Sequence, residues 1–173
     1  MATNIEIKAR VKDFARLIKL AEELSGGPGE VIQQEDVFFR IPAGRLKLRL
    51  LASDRGELIY YERENASGPK ASNYYLSRTT TPQTLKEVLS AALGARGVVR
   101  KRRLLYLVGQ TRLHLDQVEG LGEFLELEVV LSLDQTAAEG ETTAAELMRQ
   151  LGVQEADLID RAYIDLLETQ QSL

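Results

Sequence analysis

The sequence predicts an α+β fold of about eight strands, paired antiparallel, with about four amphipathic helices. Three observations carry this. Polar and apolar residues alternate in short runs, the period of a strand with one buried face. Most of these runs are joined by brief Gly-, Pro- or Asp-containing turns, too short for the crossovers that parallel pairs need. Between them lie stretches whose apolar residues recur at helical spacing.

Taken in order, Asn4 to Val11 alternates strictly, with Asn4, Glu6, Lys8 and Arg10 on one face and Ile5, Ile7, Ala9 and Val11 on the other. From Asp13 the period changes. Phe14, Leu17, Ile18, Ala21 and Leu24 mark a helix that Gly26-Gly27-Pro28-Gly29 ends. Strands are expected over Val31 to Arg40, Arg45 to Leu51, Glu57 to Arg63 and Ala71 to Arg78, with turns at Pro42-Ala43-Gly44 and Asp54-Arg55-Gly56 and a loop from Asn65 to Lys70. Thr81-Pro82 starts a second helix, with Leu85, Val88, Leu89, Ala92 and Leu93 as its buried face and Gly94 as its stop. Gly97 to Val108 and Thr111 to Val118 form a hairpin about Gly109-Gln110, and Glu123 to Leu131 is the last strand. The tail reads as helices over Thr143 to Leu151 and Asp157 to Glu168, after a surface connection at 134–142. Residues 1–173 are expected to form one domain.

Composition removes several kinds of chemistry. Cysteine is absent, so there is no disulfide framework, thiolate zinc site or cysteine nucleophile. The single histidine, His114, rules out a multi-histidine metal site and admits a Ser-His-Asp triad only through itself. Catalysis must rest mainly on carboxylates, Lys, Arg and Tyr. The net charge of −4 argues against general nucleic-acid binding. No apolar run approaches the ~18 residues of a transmembrane helix, and Met1-Ala2-Thr3-Asn4 lacks the pattern of a signal peptide. The expectation is a cytoplasmic protein with neither nucleic acid nor membrane as partner; a homodimer is allowed.

Charge is concentrated on strand faces, often with one sign. Arg45, Lys47 and Arg49 share one face; Arg100, Lys101, Arg102 and Arg103 are consecutive; Glu126 and Glu128 are two apart; Arg112, His114 and Asp116 share another face. Such faces are either the solvated outside of a sheet or the inside of a closed one. Like charges on one face repel, and the helices need the apolar faces for themselves. If the sheet curls into a barrel, the charges line its lumen. Carboxylates there could hold a hard divalent cation, and the Lys and Arg could clamp a strongly anionic group such as a polyphosphate.

Five motifs in chain order then resemble the CYTH superfamily, or triphosphate tunnel metalloenzymes, founded on class IV adenylyl cyclases and thiamine triphosphatases. The family's Glu-x-Glu-x-Lys is similar to Asn4-Ile5-Glu6-Ile7-Lys8, and its basic strand to Leu46-Lys47-Leu48-Arg49. Lys-x-Arg-x-x-Tyr matches Lys101 to Tyr106. An Asp followed by Leu-Gly-x-Phe-x-Glu-x-Glu matches Asp116 and then Leu121 to Glu128, and Tyr-x-x-Leu-Leu matches Tyr163 to Leu167. The resemblance implies an eight-stranded antiparallel β-barrel, a triphosphate tunnel, with helices packed outside. It also implies a requirement for Mg²⁺ or Mn²⁺ and a triphosphate-bearing small molecule: ATP, thiamine triphosphate or tripolyphosphate. The Gly97 to Glu128 segment is more similar to the class IV cyclase branch, which makes cyclic AMP and pyrophosphate from ATP. Hydrolysis of a triphosphate is the alternative, and non-catalytic binding of triphosphate or polyphosphate a second one.

On the resemblance, Glu6, Asp116, Glu126 and Glu128 are the metal ligands, Asp116 being alternatively a partner for a lumen cation. Lys47, Arg49, Lys101, Arg103 and Arg112 bind the triphosphate, while Arg100 and Arg102 face away. Lys8 binds phosphate or acts as general base. Two departures stand out. Asn4 replaces a Glu, offering a dipole where the family has a charge. The usual Lys of the fourth strand is Tyr61, for which Arg63, on the same face and read with Lys8 as catalytic, or Lys70, read as a further triphosphate-binding residue, substitutes. His114 reads as a satisfied polar residue, and Tyr106 and Tyr163 as packing residues with hydrogen-bonded tips.

Overall fold

The computed structural model describes residues 2–171. Eight strands run β1 (Ala2–Arg10), β2 (Glu30–Phe39), β3 (Arg45–Ala52), β4 (Arg55–Arg63), β5 (Lys70–Thr79), β6 (Ala95–Val108), β7 (Thr111–Val118) and β8 (Gly122–Val130). They close into a barrel in the order β1-β5-β4-β3-β2-β6-β7-β8, with β8 back against β1 and every pair antiparallel. Two meanders, β2 to β5 and β6 to β8, follow from the short turns. The helices α1 (Phe14–Ser25) and α2 (Pro82–Leu93) make the longer connections.

The apolar core lies outside the barrel wall. Ile5 and Ile7 of β1, Leu113 and Leu115 of β7, and Leu125, Leu127 and Val129 of β8 point outward and are fully buried. Leu17 and Ala21 of α1 cover them, together with Ala144, Leu147 and Leu151 of α3 (Ala137–Leu151). At Gly140 a Cβ would stand 2.6 Å from Ile5 Cγ1, so glycine is what lets α3 lie flush on β1. A second cluster sets Val37, Phe39, Leu48 and Leu50 under Leu85 and Leu89 of α2. The expected buried face of α2 is therefore narrower than its periodicity implies, since Val88 and Leu93 are exposed.

The C-terminal third differs from the reading of the sequence. Helix α3 begins at Ala137 rather than Thr143, because Thr136 and Glu139 form a reciprocal capping box. Residues Glu155–Asp157 make one 3₁₀ turn, and α4 starts only at Tyr163 and runs to Gln171. Between them the chain is extended. Leu158 bridges to Ala9 and Ile159 N–H donates to Lys8 O, so the edge of β1 draws the segment out of helix. This segment lies across one end of the barrel. Ile164 seats on Gly97, where a Cβ would clash at 2.6 Å, and Phe38, Val99, Val118, Phe124, Ile159, Ala162 and Tyr163 pack there. No described helix is long and apolar enough to cross a membrane.

Candidate active site in the barrel lumen

The strand alternation that sends apolar residues outward sends the charged ones in. The lumen encloses about 370 Å³. Its lining includes Lys8, Lys47, Arg49, Arg63, Arg78, Lys101, Arg103 and Arg112 against Glu6, Asp36, Glu57, Glu126 and Glu128, an excess of three positive charges. Carboxylates concentrate on β1 and β8, where Glu6 stands opposite Glu128 and Lys8 opposite Glu126. Cations concentrate on β3 and β6. The mouth, at the far end from the C-terminal segment, is walled by Ile32, Leu51, Tyr74, Leu76 and Leu105 together with the charged Glu57, Arg78 and Arg112.

Each buried charge has a partner, as burial demands. On the floor, Arg103 Nε and Nη2 donate to Asp116 Oδ1 and Oδ2 at 2.6 Å each, and Nη2 also donates to Glu126 Oε2 at 2.7 Å. Tyr163 OH donates to Asp116 Oδ2 at 3.0 Å, and Lys101 Nζ lies 3.5 Å from the same oxygen. Lys8 Nζ donates to Glu126 Oε1 at 3.0 Å and sits 3.7 Å above the centre of the Tyr163 ring. Asp36 binds two of the expected phosphate clamps, Lys47 Nζ at 3.0 Å and Arg49 Nε at 3.1 Å. Arg63 Nη1 donates to Glu6 Oε2 at 2.9 Å, while its buried Nε and Nη2 have no partner. Near the mouth Arg112 Nε holds Glu128 Oε2 at 2.8 Å.

These contacts set the charge states. Burial alone would raise Asp36; Lys47, Arg49 and Lys101 outweigh it and hold the carboxyl well below the usual carboxylate range. Burial likewise opposes, and Lys8, the adjacent His114 and Arg103 overcome, the ionisation of Glu126, which ends well below its ordinary value. Glu6 goes the other way: burial, then the nearby Glu128, push it up against the pull of Arg63. Burial and Arg103 press Lys101 down to about 8, and burial, Arg63 and Lys8 do the same to Lys70. His114 is lowered by burial and by Arg103.

Of the residues expected to form a site, Lys8, Glu6, Lys47, Arg49, Arg63, Lys101, Arg103, Arg112, Glu126 and Glu128 all line the lumen. Asp116 does not join the other carboxylates. Fully buried behind Arg103, Lys101 and Tyr163, it has the geometry of a cation's partner, the second of its two expected roles. Lys70 also stands apart, reaching the carbonyls of Ala66, Ile159 and Asp160 beneath the floor. Arg100 and Arg102 face outward. The Asn4 side chain is in the lumen, and with its oxygen turned toward Arg112 Nη2 at 3.0 Å both ends of the amide are satisfied. Tyr163 packs with its tip hydrogen-bonded, as expected, but its ring is also the floor.

Asp36, Glu57 and Arg78 are lumen residues that neither the charged strand faces nor the five motifs single out. Asp36 is the hub of the clamp; its signal was the shared face of Gln34, Asp36 and Phe38, hidden in a strand otherwise rich in apolar residues. His114 is not satisfied as expected: its buried Nδ1 has no hydrogen-bond partner and lies 3.8 Å from Glu126 Oε2 and 3.9 Å from Glu128 Oε1. Those three side chains can each offer one donor atom within 4.8 Å of the others. Glu6 and Asp116 are outside that group.

The same architecture occurs in solved structures. The PH1012 protein of Pyrococcus horikoshii superposes with a TM-score of 0.83 at 28% identity, over 94% of this chain and 98% of that one. A candidate adenylate cyclase from Vibrio parahaemolyticus gives 0.76 at 23% identity, over 95% and 97%. The S. pombe Pct1 RNA triphosphatase gives 0.50 at 12% identity, over 88% and 81%. The last two likenesses are of fold. No curated protein sequence matches. The CYTH domain model, however, matches residues 2–163, and with the closed barrel and its charged lumen this places the chain in the CYTH family.

Proposed function

We propose that the protein converts a nucleoside triphosphate inside the lumen, as a class IV adenylyl cyclase-like enzyme forming cyclic AMP and pyrophosphate from ATP. The carrying observation is the lumen itself: cations clustered above a closed floor, and a mouth that mixes apolar and aromatic walls with Arg78 and Arg112. The apolar and aromatic part of that rim, Ile32, Leu51, Tyr74, Leu76 and Leu105, suits a base and sugar better than it suits bare tripolyphosphate. The positive excess below it suits the phosphate tail. The candidate adenylate cyclase with the same fold agrees with this reading.

The chain's residues then divide the work. Lys47, Arg49, Lys101 and Arg103 neutralise the tail, and the two unpartnered donors of Arg63 contact a phosphoryl oxygen. Lys8, over the Tyr163 face, contacts the deeper phosphates. Asp116 acts through Arg103, holding its guanidinium flat and in place. The orphaned His114 Nδ1 and the carboxylates of Glu126 and Glu128 fit a divalent ion, with Glu6 beside them relieved of its repulsion from Glu128. When bound, Mg²⁺ or Mn²⁺ would supply charge neutralisation and Lewis acidity at the phosphates. In the cyclising reaction the ribose 3′-hydroxyl attacks the α-phosphate, near the mouth, and pyrophosphate leaves inward. Hydrolysis of the terminal phosphate needs water in line from the floor side, where Tyr163 and residues 158–160 are packed.

Product analysis tests this. With ATP and either metal ion, cyclic AMP and pyrophosphate are expected. Release of orthophosphate from ATP, thiamine triphosphate or tripolyphosphate instead makes the protein a triphosphatase. Tight binding of all three without turnover makes it a binder.

A further inference from the structure

His114 is 4% exposed, and its Nδ1 is the one imidazole nitrogen pointed at two carboxylates without reaching either. Separations of 3.8 and 3.9 Å are too long for hydrogen bonds. They do fall within the spacing of two donors on one ion, since donors ~2.1 Å from a metal lie roughly 3–4 Å apart. A buried polar atom left unpaired costs roughly 1–3 kcal/mol, so a fold that keeps one has a use for it. The two carboxylates are held from behind. Arg103 and Lys8 fix Glu126, and Arg112 fixes the far oxygen of Glu128. Each carboxylate oxygen has two lone pairs, so these contacts orient the oxygens without exhausting them.

We propose that His114 is a metal ligand, and that it makes the site select divalent transition ions such as Mn²⁺ over Mg²⁺. This rests on the metal-dependent reading above and adds to it the donor that decides which ion is held. Mg²⁺ wants oxygen donors only and gives up water reluctantly. A mixed set of one imidazole nitrogen and two carboxylates suits borderline ions, whose affinities rise from Mn²⁺ toward the end of the first transition row. Lumen composition strengthens the argument. Asp116 is sequestered by Arg103, and Asn4 adds no charge, so the carboxylates that a hard ion depends on are fewer here than the five motifs imply. The neutral nitrogen fills the gap on β7.

His114 is the only histidine in the chain, so an imidazole signal has a single source. The full chain without nucleotide is loaded with Mn²⁺ and examined by electron spin-echo envelope modulation. Nitrogen modulation typical of coordinated imidazole is expected, and ¹⁵N labelling of histidine must change it. By calorimetry, His114→Gln should weaken Mn²⁺ binding roughly 10–100-fold, the scale on which metal sites respond to lost support, and Mg²⁺ binding much less. Mn²⁺ that binds tightly without nitrogen coupling overturns the proposal and leaves a carboxylate-held metal standing. Failure of the wild-type chain to take up Mn²⁺, with or without tripolyphosphate, overturns both. The isotope measurement uses the wild-type chain, so a variant that does not fold leaves the outcome readable.

Discussion

Arg103 and Asp116 face each other across β6 and β7 in a two-pronged contact, Nε to Oδ1 and Nη2 to Oδ2, both 2.6 Å. Neither side chain is more than 4% exposed. Because the same Nη2 also reaches Glu126, Asp116 controls where the guanidinium points and so how β8 presents its carboxylate. A carboxylate so engaged supports the site from below.

Removal of Asp116 should therefore be felt in stability first. Asp116→Ala leaves Arg103, Lys101 and the Tyr163 hydroxyl short of a partner, and breaking such a buried pair costs about 3–5 kcal/mol. Urea unfolding of this variant beside Glu128→Gln separates the roles. Asp116→Ala should lose stability, and Glu128→Gln should lose metal affinity with a smaller change in stability. The reverse pattern would return Asp116 to the metal.

Asp36 competes with the ligand. It occupies Lys47 and Arg49, so an incoming polyphosphate must share them or displace it. Asp36→Asn should tighten tripolyphosphate binding in calorimetry while lowering the melting temperature, because two buried cations lose their counter-charge. Weaker binding in this variant would mean that Asp36 presents the clamp rather than occupying it.

Arg49→Ala should weaken triphosphate binding far more than monophosphate binding. One charge-assisted contact is worth roughly 1.5–3 kcal/mol, or ~10–150-fold. An equal loss for both ligands would reduce Arg49 to a contribution to the general field.

Stability should vary with pH in two windows. Asp36, Asp116, Glu126 and Glu128 are held below their unfolded values. Their contribution is complete above the ordinary carboxylate range, ~4, and is lost as pH falls below it. Glu6, raised, runs against this trend. On the alkaline side Lys101 and Lys70 titrate near 8 when folded but at ~10.4 when unfolded. The unfolded chain then holds more protons between these values, and stability should rise from pH 8 toward 10. Above ~10 the raised Tyr61 and Tyr163 reverse the slope. Urea midpoints at pH 8 and 9.5 that coincide would contradict a Lys101 that gives up its proton near 8.

Asn4→Glu adds a carboxylate beside Arg112 and the Glu6–Glu128 pair. The metal concentration for half-maximal binding should drop, since a divalent ion responds to ligand charge as well as ligand number. Overlaid titrations of the two proteins would place residue 4 outside the metal site.

The strand pattern was legible because side-chain parity is strict: once one residue of a strand is assigned to the lumen, the rest follow. That is how Lys47, Arg49, Lys101 and Arg103 could be sorted from Arg100 and Arg102. Parity does not say how far up the barrel a residue sits. Asp116 and Glu126 share an inward orientation, yet the stagger between strands puts Asp116 under the floor and Glu126 above it. The first turns of α3 are hard to read because 137–142, with its Gly140, lacks an apolar stripe; their one local signal is the Thr136–Glu139 capping box. The extended run at 158–162 has no local signal, since it is imposed by the edge of β1.

Tyr163 and the strand-like run before it leave the lumen, among the described residues, open at the mouth. A molecule that enters tail first must leave head first. For the cyclising reaction the nucleoside product lies nearer solvent than the pyrophosphate behind it. Release is then ordered by depth alone: cyclic nucleotide first, pyrophosphate second. Pyrophosphate should accumulate on the enzyme, compete directly with ATP and slow turnover at late times, and a pyrophosphatase in the assay should relieve that slowing.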